Sequence, residues 1–350
     1  MLNLTAHPYT LQFKHPAATS RGALVTRPVI FLRATDAEQP SIVGWGECGP
    51  MPKLSLDDRP DFAEQVQHVC RQINGGMMPE QLDLSQLPSL AFGLEIARRD
   101  LQTGGRQLLF NTSFCRGEAP LPTHGLIWMD TVAGILHQIE QKITQGFRVI
   151  KMKVGALPFD EECALLAAIR RQYSAEQITL RLDANGAFSP ADALEKLRQL
   201  AVFDIHFLEQ PIKAGQAQIM AEICAQSPIP LALDEELIGV HTEAARRTLL
   251  ETIRPQHLII KPLILGGFAA SECWIGLAEA LGSEWWVNSL LESNIGLNAI
   301  CQWTSAQAGQ RIHGLGTGQL FTNNIPSPLQ LKRAQLQLKA DGGWDFSCIQ

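Results

Sequence analysis

The chain has 350 residues, 45% of them hydrophobic and 18% charged, the balance of a packed globular protein large enough for one big domain carrying a smaller one. Its formal charge of −6 comes with no basic run, which argues against nucleic acid or an anionic membrane surface as a partner. There is no run of eighteen apolar residues and no basic-then-apolar start, so the chain reads as cytoplasmic, and its eight scattered cysteines form no C-x-x-C pair, so they are expected to be reduced and buried.

In chain order, the first hundred residues join extended segments, LVTRPVIFLRA and SIVGWGEC, to helical ones, DFAEQVQHVCRQI and PSLAFGLEIARRDLQ, whose apolar residues recur every three or four positions. This predicts an α+β domain over 1–110. From Thr123 the pattern changes to short apolar strands separated by helices: GLIWM, RVIKMKV, ITLRLDA, IHFLEQ, IPLALDE, HLIIKP, EWWVNSL and RIHGLG. FDEECALLAAIRRQ, acidic in its first turn and basic in its last, is typical of the intervening helices. Eight such units predict an α/β fold of the (β/α)8 barrel type over 111–318. Beyond Gly318 the polar–apolar alternation returns, so 319–350 is expected to rejoin the first domain as an edge strand or two and complete a capping domain.

The chemistry sits where the strands end. Lys151 and Lys153 close the second strand on one side of it, Asp183, Glu209 and Asp234 close the third to fifth, and Lys261 closes the sixth. A lone K-x-K is usually a solvated edge, and a lone strand-end acid is usually a helix cap. Three acids on consecutive strands weaken that ordinary explanation, because they would repel one another unless a cation neutralised them, and an all-oxygen set suits Mg2+ or Mn2+. Two close ammonium groups should each favour the neutral form of the other, making one a base near neutral pH. Lys261 lies four strands from Lys153 and faces it across the ring. The set suits a small-molecule carboxylate whose neighbouring carbon loses a proton. His206, mid-strand, reads as packed rather than ligating, Trp285 and Trp286 as core, and the glycines after His313 as either a carboxylate-binding turn or a tight turn.

KMKVG, LDAN, FLEQP, LDEE and IIKP, in this order and spacing, resemble the signature of the enolase superfamily, muconate-lactonizing-enzyme subgroup. Within it, GWGECGPMPKLS (44–55), PSLAFGLE (88–95) and NSLLESNIGL (288–297) are similar to segments of the o-succinylbenzoate synthase family of menaquinone biosynthesis. Gln210, often acidic in other members, and Glu236, commonly serine, depart from the pattern.

The resemblance implies a capped barrel, metal ligation by Asp183, Glu209 and Asp234, acid/base work by Lys153 tuned by Lys151, and a cationic Lys261 facing the substrate. Asn185 and Glu235 stand beside the ligands as supporting residues, a helix cap being an equal role for Asn185. The segment 15–23 resembles a mobile capping loop, with an ordinary surface loop as the alternative. That loop, through Ser20 and Arg21, and the seventh strand end, through Asn288 and Ser289, are expected to meet the substrate's succinyl arm. The implied reaction is magnesium-dependent dehydration of 2-succinyl-6-hydroxy-2,4-cyclohexadiene-1-carboxylate by a hydro-lyase. The alternatives are an N-succinylamino acid racemase, a dipeptide epimerase, which usually carries an Asp-x-Asp where this chain has HGLGTG, and, remotely, a non-catalytic ligand-binding barrel. Nothing in the sequence sets an oligomeric state.

Overall fold

A computed structural model describes residues 1–19, 22–307, 311–339 and 342–349. At the N-terminal end, β1 (Leu2–Thr19), β2 (Gly22–Asp36) and β3 (Gln39–Cys48) pair antiparallel in that order. The strands bury both faces because hydrophobic residues occupy successive positions of β2. Ile30, Leu32 and Ala34 meet Phe62, Val66 and Val69 of α1 (Phe62–Asn74) and Leu90, Leu94 and Ala97 of α2 (Pro88–Gln102), whereas Val29, Phe31 and Trp45 belong to the large core shared with the barrel. The helix α2 lies directly on the β3 backbone, and only glycine permits this: a Cβ at Gly44 would stand 2.2 Å from the Ala97 carbonyl oxygen, and one at Gly46 would stand 2.0 Å from that of Gly93.

The segment 15–23 is not a free loop. Ala17, Ala18 and Thr19 pair with Leu24, Ala23 and Gly22, past a register shift between Gln12 and Ala17, so a long hairpin replaces the expected lid loop. Ser20 and Arg21, at its tip, lie outside the described residues.

The barrel follows as β4 (Leu121–Pro122), β5 (Gly125–Ile127), α3 (Val132–Thr144), β6 (Val149–Lys153), α4 (Phe159–Gln172), β7 (Thr179–Asp183), α5 (Ala193–Leu200), β8 (Ile205–Glu209), α6 (Ala217–Gln226), β9 (Leu231–Leu233), α7 (Glu243–Ile253), β10 (His257–Ile260), α8 (Pro262–Leu265), α9 (Phe268–Ala280), β11 (Glu284–Val287) and α10 (Asn294–Ala306). Among the described residues, β5 to β11 form one parallel sheet in chain order, the arrangement that helical crossovers impose. The expected eighth strand is reduced to His313 and Gly314, which bridge Thr123 on one side and Asn288 on the other and so close the ring. Glycine at 314 permits this closure, since a Cβ there would stand 2.2 Å from Asn288 Oδ1 and 2.7 Å from the His124 ring.

The tail makes two separate pairings. The hairpin of β12 (Leu329–Lys332) and β13 (Gln335–Leu338) pairs with β4, not with the N-terminal sheet. The N-terminal sheet is met just before the hairpin: Phe321 bridges Phe13 antiparallel, and Lys14 N–H donates to the Leu320 carbonyl and Thr322 N–H to the Gln12 carbonyl, each at 2.8 Å; after the hairpin, Phe346 stacks on Trp45. No helix among the described residues is long and apolar enough to cross a membrane. The cysteines are free as expected, but Cys273 and Cys348 are exposed, not buried.

Two carboxylates of the N-terminal unit hold it to the barrel. Glu47 on β3 accepts hydrogen bonds from Ser293 N and Gly296 N, each 2.9 Å, and from the Ser293 hydroxyl at the start of α10. Glu95 on α2 accepts from Phe268 N at 2.7 Å at the start of α9. Helix N-termini carry unsatisfied N–H groups and partial positive charge, so they are natural seats for carboxylates. Burial raises the Glu47 pKa above the ordinary range, and the buried Arg27 guanidinium and Ser293 oppose that rise. Glu47→Gln keeps the volume but replaces one acceptor oxygen by a donor facing N–H groups, so it should lower stability to urea by about 1–3 kcal/mol. An unchanged unfolding midpoint would contradict this seat.

Candidate active site

Strand register assembles the site. In β6 the buried Ile150 and Met152 alternate with Lys151 and Lys153, which therefore share the opposite face. Lys153 is level with Asp183 on β7, and Asp183 with Glu209 on β8. Asp234 directly follows β9 and Lys261 directly follows β10. The three carboxylates and three lysines singled out in the sequence thus come to one mouth, and all except Lys153, which is partly buried, are buried.

They meet as an alternating charge network. Lys151 Nζ lies 2.5 Å from Glu209 Oε2 and 3.1 Å from Asp183 Oδ2. Lys153 Nζ donates to Asp183 Oδ2 at 3.3 Å and to Asn185 Oδ1, and Lys261 Nζ donates to Asp234 Oδ2. Asn185 in turn donates through Nδ2 to Glu235 Oε1 at 3.0 Å, and its backbone N–H reaches Asp183 Oδ1. Asn185 and Glu235 therefore connect Lys153 to the far side of the carboxylate group, and no helix cap is formed by Asn185.

The electrostatics correct one expectation. Burial pulls the Lys151 pKa down, but Asp183, Glu209 and Asp234 together outweigh it and raise the pKa above the usual lysine range. Lys151 is a fixed cation, not a group depressed by its neighbour. Lys261 is likewise raised, its burial overcome by Asp234 and Glu209. Burial opposes ionisation of Asp183, but Lys151, Lys153 and Lys261 carry its pKa well below the ordinary range. Glu209 moves the other way, raised by burial and by the adjacent Asp183.

Among the described residues, no three acidic, histidine or cysteine side chains are arranged ready to hold a metal ion. The lysine ammonium groups stand between the carboxylates instead. The donors nevertheless fit a hard divalent cation: all are carboxylate oxygens on adjacent strands, and Glu209 Oε1 is buried with no hydrogen-bond partner.

The two departures from the family-like pattern are partners. Gln210 Nε2 donates to Glu236 Oε2 at 3.1 Å, while Gln210 Oε1 accepts from the backbone N–H groups of Asp234 and Glu236. An acid at 210 would face the Glu236 carboxylate, so glutamine at one position suits glutamate at the other, and both brace the turn that carries Asp234.

The cavity above the network is lined by Gly22–Leu24 of the hairpin, Met51–Leu54, the strand-end groups, and Asn288 and Ser289. Asn288 contributes a buried Oδ1 without a partner. Ser289 is less available than expected, because its hydroxyl bonds Glu292 Oε2 and Thr317 Oγ1 and accepts from Leu291 N. Sequence reasoning missed His124, Leu126, Trp128 and Thr317 in this wall. Period-two reading of THGLIWM would have put the first three on one face. His206 is packed as expected, against Arg181 and Trp286, and Trp285 and Trp286 are buried. His313 N–H and carbonyl groups serve barrel closure.

A barrel capped by an antiparallel sheet, with carboxylates on three adjacent strand ends and lysines flanking them, is an enolase-type enzyme scaffold. The enolase C-terminal domain-like family model matches residues 134–344, and the model for the MenC N-terminal domain matches residues 1–101. The o-succinylbenzoate synthase of Desulfotalea psychrophila is 43% identical, covering 91% of this chain and 94% of its own. The crystal structure of MenC from that organism matches with a TM-score of 0.86 at 38% identity, over 96% of this chain and 99% of the other. The L-Ala-D/L-Glu epimerase of Bacillus subtilis shares the fold, with a TM-score of 0.82 at 21% identity over 98% and 96% of the two chains. The chain belongs to the o-succinylbenzoate synthase family of the enolase superfamily.

Lys151 offers a direct test of the charge network. Lys151→Met removes the cation shared by Asp183 and Glu209, and breaking a buried ion pair from one side costs about 3–5 kcal/mol. Denaturant unfolding in EDTA should show a loss of that size. A variant as stable as the parent would mean that the carboxylates are not held together by this lysine.

Proposed function

We propose that the chain is a magnesium-dependent hydro-lyase converting 2-succinyl-6-hydroxy-2,4-cyclohexadiene-1-carboxylate to o-succinylbenzoate and water, a step of menaquinone biosynthesis. The reading is carried by the convergence of Lys153, Asp183, Glu209, Asp234 and Lys261 on one buried mouth. Residues 1–110 with 319–350 would form the cap and 111–318 the catalytic barrel.

In this reading Asp183, Glu209 and Asp234 hold the cation. When bound, Mg2+ supplies positive charge against the carboxylate that gains electron density as the neighbouring carbon is deprotonated. Manganese has the same ligand preferences and would substitute.

Lys153 takes the proton from the ring carbon bearing the carboxylate. Asp183 Oδ2 and Asn185 Oδ1, which already accept from its Nζ, receive the ammonium that results. Lys151 keeps Asp183 and Glu209 aligned. Lys261, held cationic by Asp234, faces the opposite side of the flat ring and lowers the cost of the developing negative charge. The Lys153 ammonium then returns its proton to the departing hydroxyl: the C–O bond breaks, a ring double bond forms, and water leaves with one proton from carbon and the hydroxide from its neighbour. Aromatisation drives the step.

Racemase and epimerase readings use the same lysines. The epimerase is disfavoured because the ring-closing segment, HGLGTG, offers no carboxylate for a substrate amine. The deciding experiment is turnover of the cyclohexadiene carboxylate by the purified chain. EDTA should abolish it and Mg2+ or Mn2+ should restore it, while Lys153→Ala and Lys261→Ala should each lower kcat by about 10²–10⁴-fold or more. Full activity in EDTA, or near-normal turnover by Lys153→Ala, would overturn this mechanism.

A further inference from the structure

The proposed mechanism leaves several buried polar groups of the cavity wall without a task, His124 among them. His124, Leu126 and Trp128 line the cavity from β5 and the residues that flank it, on one face as a two-residue period places them. The His124 ring has one hydrogen-bond partner among the described residues: its Nδ1 lies 3.2 Å from Arg181 Nη1. A guanidinium has donors only, so Nδ1 must be the accepting nitrogen, and the proton of the neutral imidazole sits on Nε2.

Arg181 is itself immobilised. Its Nη1 also donates to the Ile312 carbonyl at 2.8 Å, its Nε faces His206 Nδ1 at 3.4 Å, and its guanidinium stands over the rings of Trp286 and Phe207 at 4.7 and 5.2 Å. Burial first, and then the charges of Arg181 and Lys151, keep His124 neutral. Gly314 leaves the imidazole edge open, because a Cβ there would stand 2.7 Å from His124 Cε1. Next to that edge is Asn288, whose Oδ1 is buried without a partner.

The carboxylates and lysines that act on the reacting carbon extend round the ring from β6 to β10. His124 and Asn288 stand on the remaining arc, beside the ring-closing bridge. We propose that His124 contacts the substrate, donating its Nε2–H to a ketone or carboxylate oxygen of the arm that projects away from the reacting carbon, with Arg181 as the positioning residue that fixes the tautomer. This assignment rests on the dehydratase reading above. A neutral, fixed donor recognises an oxygen without adding a charge that would compete with the reactive mouth for the ring carboxylate. Its contribution is the same before and during proton transfer, so it should show in KM rather than kcat.

The test compares His124→Met, which fills the space without a donor, with His124→Gln, whose amide N–H reaches toward the Nε2 position. In the parent and both variants one would measure kcat, KM, the dissociation constant for o-succinylbenzoate by calorimetry, and the thermal midpoint. His124→Met should raise KM and the product dissociation constant about 10- to 100-fold, the loss expected for one hydrogen bond to a charged or strongly polar oxygen, with kcat changed only a few-fold. His124→Gln should recover most of the loss. Nitrogen-15 NMR of the parent should show a protonated Nε2 and a bare Nδ1.

Parental KM and product affinity in His124→Met would overturn the proposal, as would the opposite tautomer. A fall in kcat and thermal midpoint that glutamine does not relieve would assign His124 to packing and overturn it too. Failure of the dehydratase reading is separable: the parent itself would then not turn over the cyclohexadiene carboxylate.

Discussion

The barrel mouth is governed by one constraint: carboxylates on adjacent strands cannot be buried together without compensating positive charge. Register places Asp183 beside Glu209, and the next strand adds Asp234. Burial, and after it the adjacent Asp183, displace the Glu209 carboxyl upward, as expected where carboxylates are buried close together. Lys151 and Lys261 supply part of the compensation, each bound to a carboxylate. The unpartnered Glu209 Oε1 marks where it is incomplete. The same groups that make the mouth costly to fold make it receptive to a divalent cation and to an anionic substrate.

A second layer of buried carboxylates holds the mouth under its cover. Glu47 and Glu95 come from the N-terminal unit and sit at the starts of α10 and α9, the helices on either side of β11. This explains why GWGEC and NSLLESNIGL occur together: the glutamate of the first accepts hydrogen bonds from the serine and glycine of the second. The loop after Glu47 then supplies Met51–Leu54 to the cavity, and the segment before Ser293 supplies Asn288 and Ser289. Joining these segments through a helix N-terminus fixes the seam that borders the cavity, without using any side chain of the charged mouth.

Much of this was legible in the sequence because strand-end charges break otherwise apolar runs, and their order round a ring follows from their order in the chain. That is why the six charged groups could be placed together. The least legible parts depended on contacts between distant segments. The ring-closing RIHGLG has strand-like composition, but among the described residues its pairing is confined to bridges at His313 and Gly314. The 15–23 segment has the small residues of a loop, yet pairing across β1 and β2 extends the hairpin almost to its tip. The K-x-K spacing shows the neighbouring lysine but not the three carboxylates from other strands that raise the Lys151 pKa. His124 drew no notice because its meaning lies in Arg181, fifty-seven positions later.

The most direct measurement is a crystal structure of the chain soaked with Mn2+, with anomalous scattering collected at the manganese edge. A single strong peak bonded to carboxylate oxygens of Asp183, Glu209 and Asp234, with Lys151 and Lys261 drawn aside but still near the ligands, is the result the account predicts. A peak held by other side chains, or no peak at this mouth at saturating Mn2+, would contradict the claim that these carboxylates form a metal centre.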